Sequence, residues 1–218
     1  FIERGLIPAL ANEYGMDSDI VKTWSVIDSA MRCVGRMAFP IFCFLLVEGY
    51  FHTKNIKKYL GRLFVFALVS EIPFNLAFYN SVWAWEHQNV YFTLFLGLLA
   101  VCLCDKIRSA KYGQRIFSIL VLVAFGILAL LLRTDYEFVG VLLIFVFYVL
   151  HDNEFVRDIA GAVTLLGAGM IEIAGFVAFI PMHFYNGERG WRLKYIFYLF
   201  YPVHLLIIAL VRIAVFGS

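Results

Sequence analysis

Residues 34–78 read VGRMAFPIFCFLLVEGYFHTKNIKKYLGRLFVFALVSEIPFNLAF, and this stretch decides the fold. Two apolar runs flank a basic turn, HTKNIKKYLGR (52–62), that carries Lys54, Lys57, Lys58 and Arg62. A helix needs about 20 mostly apolar residues to cross a hydrocarbon core of about 30 Å, and both runs supply them. The runs are continuous rather than alternating, which favours helices over the strands of an outer-membrane barrel.

Working outward, the same pattern recurs along the chain. It predicts spans over 23–51, 58–79, 89–107, 115–132, 136–151, 158–180 and 194–216. Residues 1–12 (FIERGLIPALAN) read as the tail of an earlier helix that breaks at Pro8. The expected architecture is an all-α, polytopic integral-membrane bundle of seven to eight spans, one domain over residues 1–218. A further span, or a fuller first helix, is expected upstream of Phe1.

Composition supports this reading. Of the 218 residues, 62% are hydrophobic and 16% charged, against about 45–50% and 25% in soluble domains. Mean hydropathy is +0.83. Too few charges remain to cover a soluble sphere, so lipid must be the solvent for most of the chain. That excludes a soluble enzyme, a disordered tail and a nucleic-acid-binding module. A net charge of +2 gives no sign of a polyanionic partner. Cys33, Cys43, Cys102 and Cys104 sit inside apolar runs at spacings that suit neither a disulfide framework nor a zinc site, and read as small packing residues.

Lys and Arg counts set the orientation. The 52–62 turn and the turn CDKIRSAKYGQR (104–115), with Lys106, Arg108, Lys111 and Arg115, are expected in the cytoplasm. The loop YNSVWAWEHQN (79–89) has no Lys or Arg and two Trp, which suits an outer interface. The predicted location is the bacterial cytoplasmic membrane. Strict alternation of seven spans then places NGERGWRLK (186–194) on the outer side despite Arg189, Arg192 and Lys194. Either that loop is functional or one of the shorter spans does not cross.

Ionisable groups inside a bilayer cost about 2.5–3.5 kcal/mol each on insertion scales, so each needs a partner or a purpose. Arg32, Arg36, Glu48, Glu71, Glu172 and His204 stand out. Residue counting puts Arg36, Glu71, Glu172 and His204 in the middle third of their helices. Arg32 and Arg36 are four apart on one face, as are Glu71 and Asn75 with Pro73 between them. Pro40 and Pro202 lie beside Arg36 and His204, and each proline frees a carbonyl one turn back. Kinks and charges at one depth imply a polar cavity. The same charges could instead clamp helices together, with His204 a satisfied core histidine. Asn186-Gly187 is first a turn signal, with Glu188, Arg189 and Trp191 crowded around it. No P-loop, Gly-rich dinucleotide turn, Gly-x-Ser-x-Gly elbow or metal-spaced histidine pair occurs, and no metal is expected.

The 34–78 string resembles the signature of the TraX family in Gly35-Arg36, Phe39-Pro40, Glu48-Gly49, the Lys/Arg turn and Ser70-Glu71-Ile72-Pro73-Phe74. NVYFTLFLGLL (89–99), YNGERG (185–190) and YLFYPVHLLI (198–207) resemble the family in the same order. The resemblance implies a polytopic membrane protein linked to N-terminal acetylation of conjugative pilin. It is similar to membrane acyltransferases that take acyl groups from a cytoplasmic coenzyme A thioester. The family's Asp-His pair of the first helix has no match in residues 1–30, where Asp28 precedes Ser29, and is expected upstream of Phe1.

The reading is therefore an acetyltransferase using acetyl-coenzyme A as donor, with an acceptor amine or hydroxyl on a protein or small molecule. A histidine, upstream or His204, would be the base and Glu71 its orienting carboxylate. Arg36, with Arg32, would face the thioester oxyanion or a donor phosphate, because guanidinium stays charged when buried. Glu48, Asn75, Glu172, Asn186, Arg189 and Tyr201 would line the substrate and donor site. The competing readings are a non-enzymatic scaffold for pilus or surface assembly and a small transporter that relays protons through Glu71, Glu172 and His204.

Overall fold

A computed structural model describes residues 6–108, 114–167, 169–187 and 194–216. Its helices are α1 (Ile7–Tyr14), α2 (Asp19–Arg36), α3 (Ala38–His52), α4 (Ile56–Tyr79), α5 (Val90–Arg108), α6 (Gln114–Leu131), α7 (Glu137–Val149), α8 (Glu154–Leu166), a 3-10 helix (Met170–Ala178), α9 (Phe179–His183) and α10 (Lys194–Phe216). Among the described residues there is no strand, and one isolated bridge joins Gln88 to Thr134.

Local chemistry explains where the helices start. Asn55, Asn89 and Asn153 place a side-chain oxygen on the backbone N–H of Lys58 (3.0 Å), Tyr91 (3.0 Å) and Val156 (3.1 Å). Each satisfies a donor that the first turn of a helix leaves unpaired. Pro8 stands in the first turn of α1, where it starts the helix instead of breaking one.

Helix α5 is central, packed against α4, α6 and α7, with α3 beside α7. Phe39, Cys43, Val47, Leu63, Ala67, Leu94, Leu98, Ile144 and Phe147 fill the space between them. Gly97 and Gly140 sit where helices touch closely, since a Cβ on Gly97 would collide with Ile144 and one on Gly140 with Thr93. The outward faces are as apolar as the core: Leu68, Val69 and Ile72 of α4, Ile119 and Leu120 of α6, and Phe200, Val203 and Ile207 of α10 are all exposed. Water would not tolerate so continuous an apolar exterior, and lipid requires it. Three helical segments, 19–52, 56–79 and 196–215, are long and apolar enough to cross a membrane by themselves, and shorter apolar helices accompany them.

The bundle has a basic end, at the Lys54–Lys58 turn, and an aromatic end, at Trp83 and Trp85. Helix α10 runs parallel to α4. Tyr198, early in α10, stacks on Phe66 at 4.9 Å, while Arg212, late in α10, reaches the last turn of α4. Arg212 donates to the carbonyls of Leu76 and Ala77, both at 2.9 Å, and to Asn80 Oδ1 at 3.0 Å. A helix C-terminus presents unpaired carbonyls and partial negative charge, so a 5% exposed guanidinium there caps α4 and locks α10 to it. Arg212→Lys keeps the charge but cannot span three acceptors. It should lower stability by about 1.5–3 kcal/mol, read as a fall in the thermal midpoint in detergent. A midpoint equal to wild type would show that the fork is dispensable.

Two expectations are corrected here. The predicted span 158–180 is not one helix. The chain stops at Leu166 and turns at Gly167–Gly169, where Gly169 has φ 121°, a value open to glycine. It then returns antiparallel as the 3-10 helix and α9. A Cβ on Gly161 would meet Phe179, one on Gly175 would meet Leu165, and Asp158 lies 3.6 Å from His183. That extra reversal brings Tyr185–Gly187 and the start of α10 to the basic end, so the alternation that put 186–194 opposite the Lys-rich turns had missed one leg.

The predicted span 23–51 is likewise part of a longer helical segment, 19–52, of 34 residues. At about 51 Å it exceeds a hydrocarbon core of about 30 Å. Its first half is polar: Thr23, Ser25 and Ser29 turn their hydroxyls back onto carbonyls four residues earlier at 2.7–2.9 Å. Cys33 on this half is exposed, unlike the three buried cysteines.

Candidate functional site: a charged cleft at the aromatic end

The cleft is built from helix ends. Pro40, in the first turn of α3, cannot donate to the Arg36 carbonyl, and the chain tightens at Met37, whose N–H reaches Val34 O at 3.2 Å. This joint presents Arg36 beside the turn between α6 and α7. Arg36 Nη1 donates to Tyr136 Oη at 3.4 Å, and its charge acts on Asp135. Tyr136 in turn stacks on Phe39, with ring centroids 3.4 Å apart.

A carboxylate on α4 forms the second half. Asn89 is completely buried, and its Nδ2 donates both to Ala67 O at 2.8 Å and to Glu71 Oε2. The Asn89 backbone N–H points at the same oxygen at 3.4 Å. Around this clamp Glu71 Oε1, Asn75 Oδ1, Ser70 Oγ, Thr93 Oγ1 and Thr134 Oγ1 are buried without a hydrogen-bond partner among the described residues. Tyr201 lies between the halves: the charges of both Asp135 and Glu71 act on its phenol.

Asp135 is open to solvent yet walled by protein. This burial raises its carboxyl above the ordinary aspartate range, and the charges of Arg36 and His87 pull it part of the way back. A carboxyl with a raised folded pKa contributes stability below its unfolded value, about 3.9, that is lost as pH rises through the folded value. Asp135→Asn should therefore raise the thermal midpoint at pH 7, with the gap closing as pH falls toward 4. A lower midpoint at pH 7 would mean that pairing with Arg36 outweighs burial.

At the basic end a second pocket, of about 450 Å³, is lined by Glu48, His52, His151, Arg157, Tyr185 and Asn186 over Phe44 and Met182. His151 Nε2 lies 2.8 Å from Glu48 Oε1, and the His52 ring contacts the Glu48 carbonyl at 2.9 Å. Arg157 is buried, lies over the Phe44 ring at 4.8 Å and donates from Nε to Asp158 at 3.0 Å. Burial and the Glu48 charge raise the Tyr185 phenol.

The predicted site residues are thus distributed unevenly. Arg36, Glu71, Asn75 and Tyr201 come together at the aromatic end. His204 lies one turn beyond Tyr201, half-buried, with Nδ1 2.9 Å from Phe200 O and its ring stacked on Phe200 at 5.0 Å. The carbonyl of Tyr198 that Pro202 frees accepts from Tyr91 Oη at 3.0 Å. Glu48 and Asn186 belong to the other pocket.

Two placements differ from expectation. Arg32 is exposed and forms an i,i+4 pair with Asp28 at 2.7 Å on the polar first half of its helical segment. Arg36 lies at the α2–α3 joint, where its charge acts on Asp135. Glu172 falls just after the hairpin turn instead of mid-span, and its side chain, like all of Arg189, lies outside the described residues. Sequence reasoning missed Asp135, His87, Asn89, His151 and Arg157. Asp135 and His87 sit in turns, where a charge carries no cost and draws no notice.

An apolar-surfaced helical bundle with a charged cleft set among its helix ends defines a polytopic membrane protein with an internal polar site. The family profile described as TraX protein matches residues 14–212, and the chain belongs to the TraX family. It is also 30% identical over 206 residues, covering 80% of each chain, to a Dichelobacter nodosus protein named probable fimbrial assembly protein FimC, serogroup H1. No solved structure matches the chain.

Proposed function

We propose that this protein is an acetyltransferase of the bacterial cytoplasmic membrane. It moves an acetyl group from acetyl-coenzyme A to an amine or hydroxyl acceptor, a pilus or fimbrial subunit being the favoured one. Membership of the TraX family and the fimbrial relative support the pilus context. The observation that carries the chemistry is the charged cluster at the aromatic end. A guanidinium and two carboxylates gather there beside a buried amide and a phenol, and further buried polar oxygens have no partner among the described residues. Such preorganised charge suits the oxyanion of acyl transfer better than it suits helix packing, for which fully paired groups are cheaper.

Arg36 faces the developing oxyanion, Tyr201 and Glu71 hold the cleft in shape, and His204 supports it from the next turn of α10. The basic end faces the cytoplasm, where the Lys54–Lys58 turn lies beside the Glu48–His151 pocket. The name of the relative favours a second reading, a non-enzymatic assembly partner that binds no donor.

Thermal denaturation in detergent separates them. Acetyl-coenzyme A at 100 times its dissociation constant should stabilise the protein by about 2.7 kcal/mol, and thiol release should follow when membranes containing pilus subunits are added. No shift with either acetyl-coenzyme A or free coenzyme A would leave the assembly reading standing.

A further inference from the structure

Arg36, Arg157 and Arg212 each have an acceptor: Tyr136, Asp158 and the last turn of α4. Arg62 does not. It is half-buried in the second turn of α4, and its Nε is closed off from solvent without a hydrogen-bond partner. Its guanidinium lies 5.6 Å from the centroid of the Tyr59 ring and makes no ion pair among the described residues. A guanidinium keeps its charge when it leaves water, so it calls for an anion from outside the chain. The surroundings favour one. Lys58 stands one turn before Arg62 on the same face, with Lys54 and Lys57 beside it. All three lysines are exposed, and the first turn of α4 holds no acidic residue. The unpaired N–H groups of that turn add partial positive charge.

The geometry points to Arg62, assisted by Lys58, as the anchor for the diphosphate of the coenzyme A donor. The inference rests on the acyl-transfer reading above. Arg62 and Glu71 are nine residues apart on α4, an axial rise of about 14 Å. The pantetheine arm between diphosphate and sulfur is as long as roughly four to five extended residues, about 15 Å. A diphosphate held at Arg62 therefore delivers the thioester to the level of Glu71 and Tyr201 while the nucleotide stays at the basic end. Aromatic side chains mark the way between. Phe66, one turn on from Arg62, stacks on Tyr198 at 4.9 Å. Tyr91 donates to the Tyr198 carbonyl at 3.0 Å, and its ring meets that of Tyr201 at 5.3 Å. This row of rings, shared by α4, α5 and α10, suits the methylenes of the arm.

The 450 Å³ pocket at the same end is less suited to a diphosphate. Its buried cation, Arg157, is matched with Asp158, and His151 is matched with Glu48. Glu154 adds a further carboxylate to the lining, so an anion there would meet more repulsion than attraction. An anionic phospholipid headgroup offers Arg62 the same phosphate chemistry as the donor, and the test separates the two.

The full chain in neutral-lipid micelles is titrated with free coenzyme A, and binding is read from the thermal midpoint. Arg62→Gln should raise the dissociation constant about 10–100-fold, the usual loss for a charge-assisted hydrogen bond. The exposed change Lys58→Gln should raise it about 2–5-fold, and added salt should narrow that gap. In thiol release with membranes containing pilus subunits, Arg62→Gln should raise the KM for acetyl-coenzyme A by the same factor as the dissociation constant and keep kcat, a split that damage to the fold would not give. Wild-type affinity in Arg62→Gln, or a loss confined to kcat, would overturn the assignment. If Arg62→Gln does not fold, Lys58→Gln decides alone, and wild-type affinity there overturns it. Phosphatidylglycerol added to the micelles should leave coenzyme A binding intact. Displacement of coenzyme A by that lipid from the wild type would make Arg62 a headgroup site instead. A wild type that does not respond to coenzyme A at all would overturn the acyl-transfer reading, and this assignment with it.

Discussion

Arg36→Lys is expected to lower acetyl transfer by about 10²–10³-fold, the usual cost of one oxyanion donor, while the protein still folds. The charge beside Asp135 survives the change, so the electrostatic balance of the cleft is kept. What goes is the planar fork. Arg36 reaches the Tyr136 hydroxyl with one Nη, and an ammonium on a flexible stem cannot offer donors in two fixed directions at once. The joint itself is a backbone feature made by Pro40 and should not change. Thiol release and thermal midpoint measured on the same preparation decide it. If Arg36→Lys turns over like wild type while Arg36→Gln does not, charge alone matters and the oxyanion role fails. If both lose the folded protein, Arg36 is a structural clamp.

How much of this was legible in the sequence follows from what each residue is asked to do. Continuous apolar runs must cross lipid, so α4 (56–79 against the expected 58–79) and α10 (194–216, as expected) were readable to within two residues. The α8 hairpin was not, because two short legs joined by Gly-Ala-Gly have the same hydropathy as one long helix. Only length against bilayer thickness could have exposed it, and the 3-10 geometry of the return leg hides even that. Arg36 and Glu71 were singled out because charge within an apolar run is conspicuous. What the sequence did not show is that Arg36 closes α2 at a joint with α3, beside the α6–α7 turn. Asp135 and His87 were invisible for the opposite reason: in a polar turn a charged residue is unremarkable until the fold shows what it stands beside. Asn89 could have been found, as an asparagine directly ahead of the apolar run Val90–Ala100 is a helix cap, but its second role as a clamp on Glu71 needs the packing of α4 against α5.

Glu71 separates the roles of shape and charge in the cleft. Glu71→Leu should lower stability by about 2–6 kcal/mol, because it strips the acceptor from two buried amide groups at about 1–3 kcal/mol each. Asn89 has no route to water, and its Nδ2 would keep only the Ala67 carbonyl. As Asn89 also caps α5, its displacement would loosen the start of the central helix and the neighbouring loop that carries His87. Glu71→Gln is milder: a carbonyl oxygen remains for Asn89, and a neutral amide is cheaper to bury than a carboxylate. It should fold with a yield near that of the wild type. Turnover in Glu71→Gln then reports on charge alone. A loss of at least tenfold, on an intact fold and with acetyl-coenzyme A still shifting the thermal midpoint, would place the carboxylate in the chemistry of the cleft through Tyr201. Wild-type turnover in Glu71→Gln, together with collapse of Glu71→Leu, would reduce Glu71 to a packing clamp and leave Arg36 and Asp135 as the charges of the cleft that chemistry uses.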